Sequence, residues 1–214
     1  MAVSFDLFGT LLTAETPADP AVAVATELEA RGVSVPSDWT QRYARPHLEI
    51  PEGRELALPE HVHAALSSAE REVEQTVVDD AVTAAFDPVV ETRTGAAAAV
   101  AVAREDGPVA ICSNCSVPGL VEVALERSTL EVDRFDAVVS SVDFGWRKPA
   151  PEIFRETADR LAVDPQDLVH VGDDPRTDAG VEGVGGTAIL LADTPLTALP
   201  GRLSTVRHEG GRER

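Results

Sequence analysis

Four short segments, far apart in the chain, hold residue types that could do chemistry together. They are Asp6-Leu7-Phe8-Gly9-Thr10, Ser113-Asn114, Lys148-Pro149 and Gly172-Asp173-Asp174-Pro175-Arg176-Thr177-Asp178. Singly each is weak, because Asp-rich turns commonly just cap helices. Together they offer the carboxylates of Asp6, Asp173, Asp174 and Asp178, the hydroxyl of Ser113 and the ammonium of Lys148. Carboxylates held close together cannot all ionise without a cation among them. A hard, oxygen-seeking ion such as Mg²⁺ suits that set, keeping several waters and taking substrate phosphate oxygens as further ligands. An ordinary acidic surface cluster is the plainer explanation. It leaves unexplained why Lys148, the one lysine among 18 Lys and Arg residues, belongs to the same set. A chain that otherwise uses Arg keeps Lys where a compact point charge is needed and a planar fork is not.

The elements that must position these residues follow from apolar runs and turn signals. Strands are predicted at 3–6, 109–112, 137–140, 168–171 and 188–191, and helices at 17–31, 94–104, 118–126, 151–161 and 177–184. Strict alternation of strand and helix implies an α/β fold, a Rossmann-like parallel sheet with helices on both faces. Between 36 and 87 the chain reads as helices broken at Pro46, Pro51, Gly53 and Pro59, with no strand. The expected organisation is therefore an α/β core of residues 1–13 and 91–208. An all-helical cap of residues 14–90 is inserted after the first strand, and 209–214 form a disordered tail. Ligands of parallel α/β sheets bind at the carboxyl ends of the strands, where the four segments lie. A helical insert beside that edge could serve as a lid.

Composition narrows the function. The net charge is −19, with 37 Asp and Glu. Such a surface repels phosphate backbones and anionic lipid, so nucleic-acid and membrane partners are disfavoured. No apolar run is long enough to span a bilayer, and the first residues lack the basic stretch of a secretory leader. A cytoplasmic protein is expected. The acid-rich, Lys-poor composition resembles that of halophilic proteins, in which concentrated salt screens self-repulsion. Aromatics are only 4% of residues, so the core must be built from Ala, Val and Leu. Cys112 and Cys115 are spaced C-x-x-C, but no second pair exists to complete a zinc site. They read as a buried strand-end Cys and an incidental neighbour.

The four segments, in this order, resemble the four motifs of the haloacid-dehalogenase superfamily, and the helical insert resembles its helical cap. The resemblance covers essentially the whole chain. It implies a hydrolase in which Asp6 attacks the substrate and forms a covalent aspartyl intermediate that water cleaves. It implies that Ser113 and Lys148 hold the transferred phosphoryl group. Mg²⁺ would be bound by Asp6, the backbone carbonyl of Phe8 and Asp173, with Asp174 and Asp178 ligating through water or orienting Lys148. Gly9 would let backbone approach the substrate, Thr10 would bond near the nucleophile, and Asn114 would touch substrate or cap the next helix. The expected partner is a small phosphorylated molecule.

One position departs from the pattern. Phosphatases of the superfamily usually carry an Asp general acid two residues after the nucleophile, and here that position is Phe8. Phosphohydrolysis then needs a leaving group that departs with little protonation, or a proton from water or the cap. A metal-independent 2-haloacid dehalogenase is the alternative, since an aromatic occurs there and halide needs no acid. Those enzymes, however, have Ser where this chain has Asp173. A non-catalytic protein that binds phosphorylated ligands is the third reading. A dehalogenase would need a cap arginine, for which Arg31, Arg42 and Arg45 are candidates. Trp39, Tyr43 and His47 would either pack the cap or shape a pocket.

Overall fold

The computed structural model describes residues 1–210. Five parallel strands form its central sheet: β1 (Ala2–Phe5), β4 (Val109–Ser113), β5 (Ala137–Ser140), β6 (Leu168–Gly172) and β7 (Thr187–Leu190), in the order β5-β4-β1-β6-β7. The three inner strands are buried along their whole length. A strand covered on both faces needs a continuous apolar run, which is how these segments read.

Alternation sorts their side chains into two cores. Val3, Phe5, Val109, Ile111, Val169 and Val171 belong to the core on one face, while Ala2, Ala110, Cys112 and Leu168 belong to the other. Helix α5 (Ala96–Asp106) covers the first face with Ala96, Ala99, Val100 and Ala103, one stripe of a 3.6-residue period. Helix α8 (Pro151–Arg160) covers the second with Ile153, Phe154 and Ala158. The polar residues Ser4 and His170 fall, by the same two-residue period, on the α8 face. The Phe154 ring meets that of His170 edge-on at 5.3 Å.

Between the first and second sheet strands in sequence stand four helices: α1 (Pro20–Ala30), α2 (Trp39–Tyr43), α3 (Leu58–Ser67) and α4 (Gln75–Ala85). Asp19 caps α1 by accepting the Val22 N–H at 3.1 Å, and Pro20 fills the first turn, where no donor is needed. Val24, Leu28, Val62, Leu66, Val78 and Val82 close the helices on one another. The indole of Trp39 is buried and donates to the Ala21 carbonyl at 2.8 Å, so this residue packs.

Two features correct the expected elements. The chain enters and leaves the insert through a two-stranded antiparallel ribbon, β2 (Leu12–Ala14) against β3 (Val90–Thr92), where no strand was expected. Three-residue strands with a partner most of a domain away give no local signal. The expected helix at 177–184 is a 3₁₀ segment, Asp178–Val184. It holds Gly180 and Gly183, which weaken an α-helix. Gly180 is also required there, since a Cβ would sit 2.6 Å from that of Pro149.

A short strap ties the insert to the core. The Glu55 N–H donates to Gly145 O at 3.1 Å, Arg147 N–H to Gly53 O at 2.9 Å, and Leu58 N–H to Ser116 O at 2.7 Å. The last element, α9 (Leu199–Gly210), includes two residues expected in a disordered tail; the rest, 211–214, lie outside the described residues. No described helix is long and apolar enough to cross a membrane.

Phe154 is fully buried between the sheet and α8. Phe154→Ala should cost about 3–5 kcal/mol. Urea unfolding in concentrated KCl measures this, and a loss below about 1 kcal/mol would contradict the packing described.

Candidate active site

Asp6, the residue after β1, continues the ladder by donating its N–H to Val171 O at 2.9 Å. Its carboxylate therefore stands at the carboxyl edge of the central strand. The end of β4 brings Ser113, whose hydroxyl donates to Asp6 Oδ1 at 3.1 Å. From the loop before α8 comes Lys148, whose Nζ donates to the same oxygen at 2.8 Å and to Asp178 Oδ1 at 2.6 Å. Lys148 is 2% exposed and Asp178 1%. The Thr10 hydroxyl reaches Asp173 Oδ1 at 3.0 Å. Carboxylate oxygens of Asp6, Asp173 and Asp178 lie within 4.8 Å of one another.

Glycine makes that approach possible twice. Gly9 has φ +90°, and a Cβ there would stand 2.6 Å from Asp173 Oδ2. A Cβ at Gly172 would overlap the Asp178 carboxylate. Gly9, expected to let backbone approach the substrate, thus makes room for the Asp173 side chain.

Other expected residues take different places. Asn114 clamps the Lys148 peptide: its Nδ2 donates to Lys148 O at 3.0 Å and its Oδ1 accepts the Lys148 N–H at 2.8 Å. Its amide is thus committed to placing Lys148, though the residue still lines the adjoining cavities. Asp174 is not in the carboxylate cluster. Its side chain accepts Arg176 Nε at 3.0 Å and another guanidinium nitrogen at 2.8 Å. Only its backbone serves the site, donating N–H to Asp178 Oδ2 at 2.9 Å. Both Asp178 oxygens are thereby taken, which makes it an anchor for Lys148.

His170 was missed. It is fully buried on β6, and Asp178 Oδ1 lies 3.1 Å from its Nε2 and Ser4 Oγ 2.8 Å from its Nδ1. The neutral tautomer that donates from Nε2 to Asp178 and accepts the Ser4 hydroxyl satisfies both. Lys148 Nζ stands 3.4 Å from Nε2. The available signal was a histidine inside an otherwise apolar run, since a buried polar side chain needs partners.

Burial and charge pull in opposite directions here. Burial alone would drive Lys148 toward the neutral amine; the Asp6 and Asp178 charges reverse this and hold its pKa above the ordinary value. Burial would also raise the Asp178 pKa, but the His170 hydrogen bond and the Lys148 charge hold it well below the usual carboxylate range. Burial and then Lys148 lower the His170 pKa, keeping the ring neutral. Asp173 is raised, by partial loss of hydration and by repulsion from Asp6 and Asp178. Cys112 and Cys115 are free and buried, and burial pushes both thiols up to about 11. They are neutral, unreactive thiols.

Two cavities flank residues 114–116. One, of about 480 Å³, includes Phe8, Gly9, Glu15 and Phe86 in its wall. The other, of about 500 Å³, includes Tyr43, Arg54, His61 and Arg147. Two of the insert arginines that were candidates under the dehalogenase alternative form ion pairs: Arg31 with Glu27 at 2.6 Å and Arg42 with Asp38 at 2.8 Å. Arg45 lines neither cavity. Tyr43 is stacked edge-on against Trp39 and His61, and His47 Nε2 lies 2.9 Å from Arg42 O.

Asp178→Asn should destabilise the protein by about 3–5 kcal/mol, because a buried ammonium loses one counter-charge. The depressed Asp178 pKa contributes stability that is present above the ordinary carboxylate range and lost as pH falls below it. Urea unfolding at pH 7 and at falling pH should therefore show the substituted protein losing less on acidification. Equal losses would contradict the assignment.

Comparison with known proteins gives the family and the fold. A family model described as haloacid dehalogenase-like hydrolase matches residues 1–181. Hexitol phosphatase B of Escherichia coli (strain K12) is 32% identical over 102 residues, 46% of this chain and 46% of that one. The match thus spans about half the length of that curated relative. A 2-haloacid dehalogenase from Pseudomonas syringae pv. Tomato DC3000 superposes with TM-score 0.69 at 23% identity, covering 95% of this chain and 98% of that one. An HAD phosphatase from Thermococcus onnurineus superposes with TM-score 0.55 at 25% identity, covering 88% and 85%.

Proposed function

The chain belongs to the haloacid dehalogenase-like hydrolases, and we propose that within that family it is a Mg²⁺-dependent phosphohydrolase acting through Asp6. The observation that carries this reading is the convergence of Ser113 and Lys148 on one oxygen of Asp6, with Asp173 alongside. The phosphatase names of two similar proteins support it.

In the proposed reaction an Asp6 carboxylate oxygen attacks phosphorus and the bond to the leaving oxygen breaks. The Lys148 ammonium and the Ser113 hydroxyl balance the charge of the transferred group. Water then attacks phosphorus, the bond to Asp6 breaks, and inorganic phosphate leaves with the carboxylate restored. Asp178, His170 and Asn114 hold Lys148 in place throughout.

The donor set suits a hard divalent ion. It is all oxygen and it is crowded; partial burial and then repulsion from Asp6 and Asp178 raise the Asp173 pKa, and a cation would relieve that repulsion. Asp6, Asp173 and the Phe8 carbonyl would hold the ion. When bound, it screens the phosphate charge from the attacking carboxylate. Residues 1–13 and 91–208 act as the core and 14–90 as a cap that opens to exchange substrate and product.

The 2-haloacid dehalogenase reading retains one observation, Phe8 beside the nucleophile. Against it stands Asp173, which without a metal would leave a further carboxylate facing an anionic substrate.

The test is hydrolysis of p-nitrophenyl phosphate in concentrated KCl, with Mg²⁺ and with excess EDTA, beside Asp6→Asn. That leaving group departs without an acid, so Phe8 cannot mask a working nucleophile. Mg²⁺-dependent release that vanishes in Asp6→Asn is expected. Release by the mutant, or none from folded protein with turnover of 2-haloacids in EDTA, would refute the reading. Phe8→Asp should raise hydrolysis of alkyl phosphates by about tenfold or more, toward the 10²–10⁴-fold worth of a general acid. Steady-state kinetics showing no gain on any alkyl phosphate would remove this explanation of Phe8.

A further inference from the structure

Hydrolysis at Asp6 leaves two arginines unexplained. Arg54, from the strap of the insert, and Arg147, from the core, line the same cavity of about 500 Å³ beside Asn114. That volume suits a small metabolite. In a chain of net charge −19, cations facing one cavity need a reason. No carboxylate among the described residues pairs with Arg54; its guanidinium carbon lies over the Trp146 ring, 5.1 Å from the centroid. Among the described residues the one ion pair of Arg147 is a long approach of 3.7 Å from its Nε to Glu55 Oε2. That Glu55 oxygen accepts the Ser141 hydroxyl at 2.7 Å, and its side chain is only 4% exposed. Glu55 lines the same cavity, where its carboxylate, held by the Ser141 hydroxyl, offsets part of the Arg147 charge and leaves Arg54 without a counter-charge among the described residues.

The two guanidinium groups are placed by one piece of backbone. Arg54 and Trp146 form an antiparallel bridge, flanked by the Glu55 N–H to Gly145 O and Arg147 N–H to Gly53 O bonds. Insert and core thus each contribute one arginine across a common ladder. Arg147 also precedes Lys148, so its backbone is fixed by the residue that reaches Asp6. A substrate held by its phosphoryl group at Asp6, Ser113 and Lys148 would extend past Asn114 into this cavity. A planar fork of donors is suited to carboxylate or phosphate, and contributes little to binding a neutral alcohol.

We propose that the cavity between Arg54 and Arg147 receives a second anionic group at the far end of the substrate. The substrate class is then a small metabolite acidic at both ends, phosphorylated at one and bearing a carboxylate or second phosphate at the other. The proposal rests on the phosphohydrolase reading for the first phosphate. The closing experiment measures binding, so that the two can fail separately.

Three probes separate the possibilities: glucitol 6-phosphate with a neutral far end, 6-phosphogluconate with a carboxylate, and fructose 1,6-bisphosphate with a phosphate. Their affinities are measured by calorimetry in EDTA for the unaltered protein, Arg54→Ala and Arg147→Ala. Both arginine side chains lie at the surface of the cavity, so the variants should fold, and circular dichroism checks this. At least one doubly acidic probe should bind about tenfold or more tightly than glucitol 6-phosphate, and each substitution should shrink that gap by about tenfold. Which probe shows the larger gap tells carboxylate from phosphate. Equal binding of all three, no binding, or a gap that survives both substitutions overturns the proposal. A gap in a protein that hydrolyses neither these probes nor p-nitrophenyl phosphate would keep the anion receptor and remove the phosphohydrolase reading.

Discussion

A single buried ammonium organises this molecule. Lys148 is enclosed between Asp6 and Asp178, and removing its charge from water carries a penalty of several kcal/mol, about the size of a domain's whole margin of stability. The arrangement holds only because each partner is itself held. Asp178 is bonded by His170 and by the Asp174 N–H, His170 by Ser4, and the Lys148 peptide by Asn114. The chain reaches from β1 through β6 to the loop before α8. The geometry around Asp6 and the stability of the core are therefore one network, and a change to either partner of Lys148 is felt by both.

That network explains how the sheet is used. Its first face is apolar along β1 and β6 and takes the Ala-rich stripe of α5. Its second face is interrupted by Ser4 and His170, which would be poor choices for packing alone. They stand on adjacent strands in register, Ser4 opposite His170, and so meet beneath the site without any bend of the sheet. Phe154 closes over the imidazole and keeps water from it.

How much of this could be read from the chain depended on the range of the cause. Strand ends with polar residues are local signals, and Asp6, Ser113, Lys148 and Asp173 stood out by position. So did the α/β order, because buried parallel strands and Ala-rich helices have distinct periods. Asp174 could not be separated from Asp173 by type; what separates them is the turn, which directs Asp173 to Asp6 and Asp178 and leaves Asp174 to Arg176 two residues on. His170 was hidden because its partners Ser4 and Asp178 are selected by register and by a 3₁₀ turn. The β2–β3 ribbon and the Arg54–Arg147 pairing arise from contacts between distant segments, for which no spacing rule exists.

The crowding of the carboxylates is itself built in. Gly9 and Gly172 are the positions where any larger residue would push Asp173 or Asp178 away. An anchor for Lys148 needs only Asp6 and Asp178, yet the carboxylate of the exposed Asp173 also reaches the cluster. The Thr10 hydroxyl holds it there, while partial burial and then repulsion from Asp6 and Asp178 raise its pKa. Three carboxylates held this close repel one another, and loss of the Thr10 hydroxyl would let Asp173 move away and relax that repulsion.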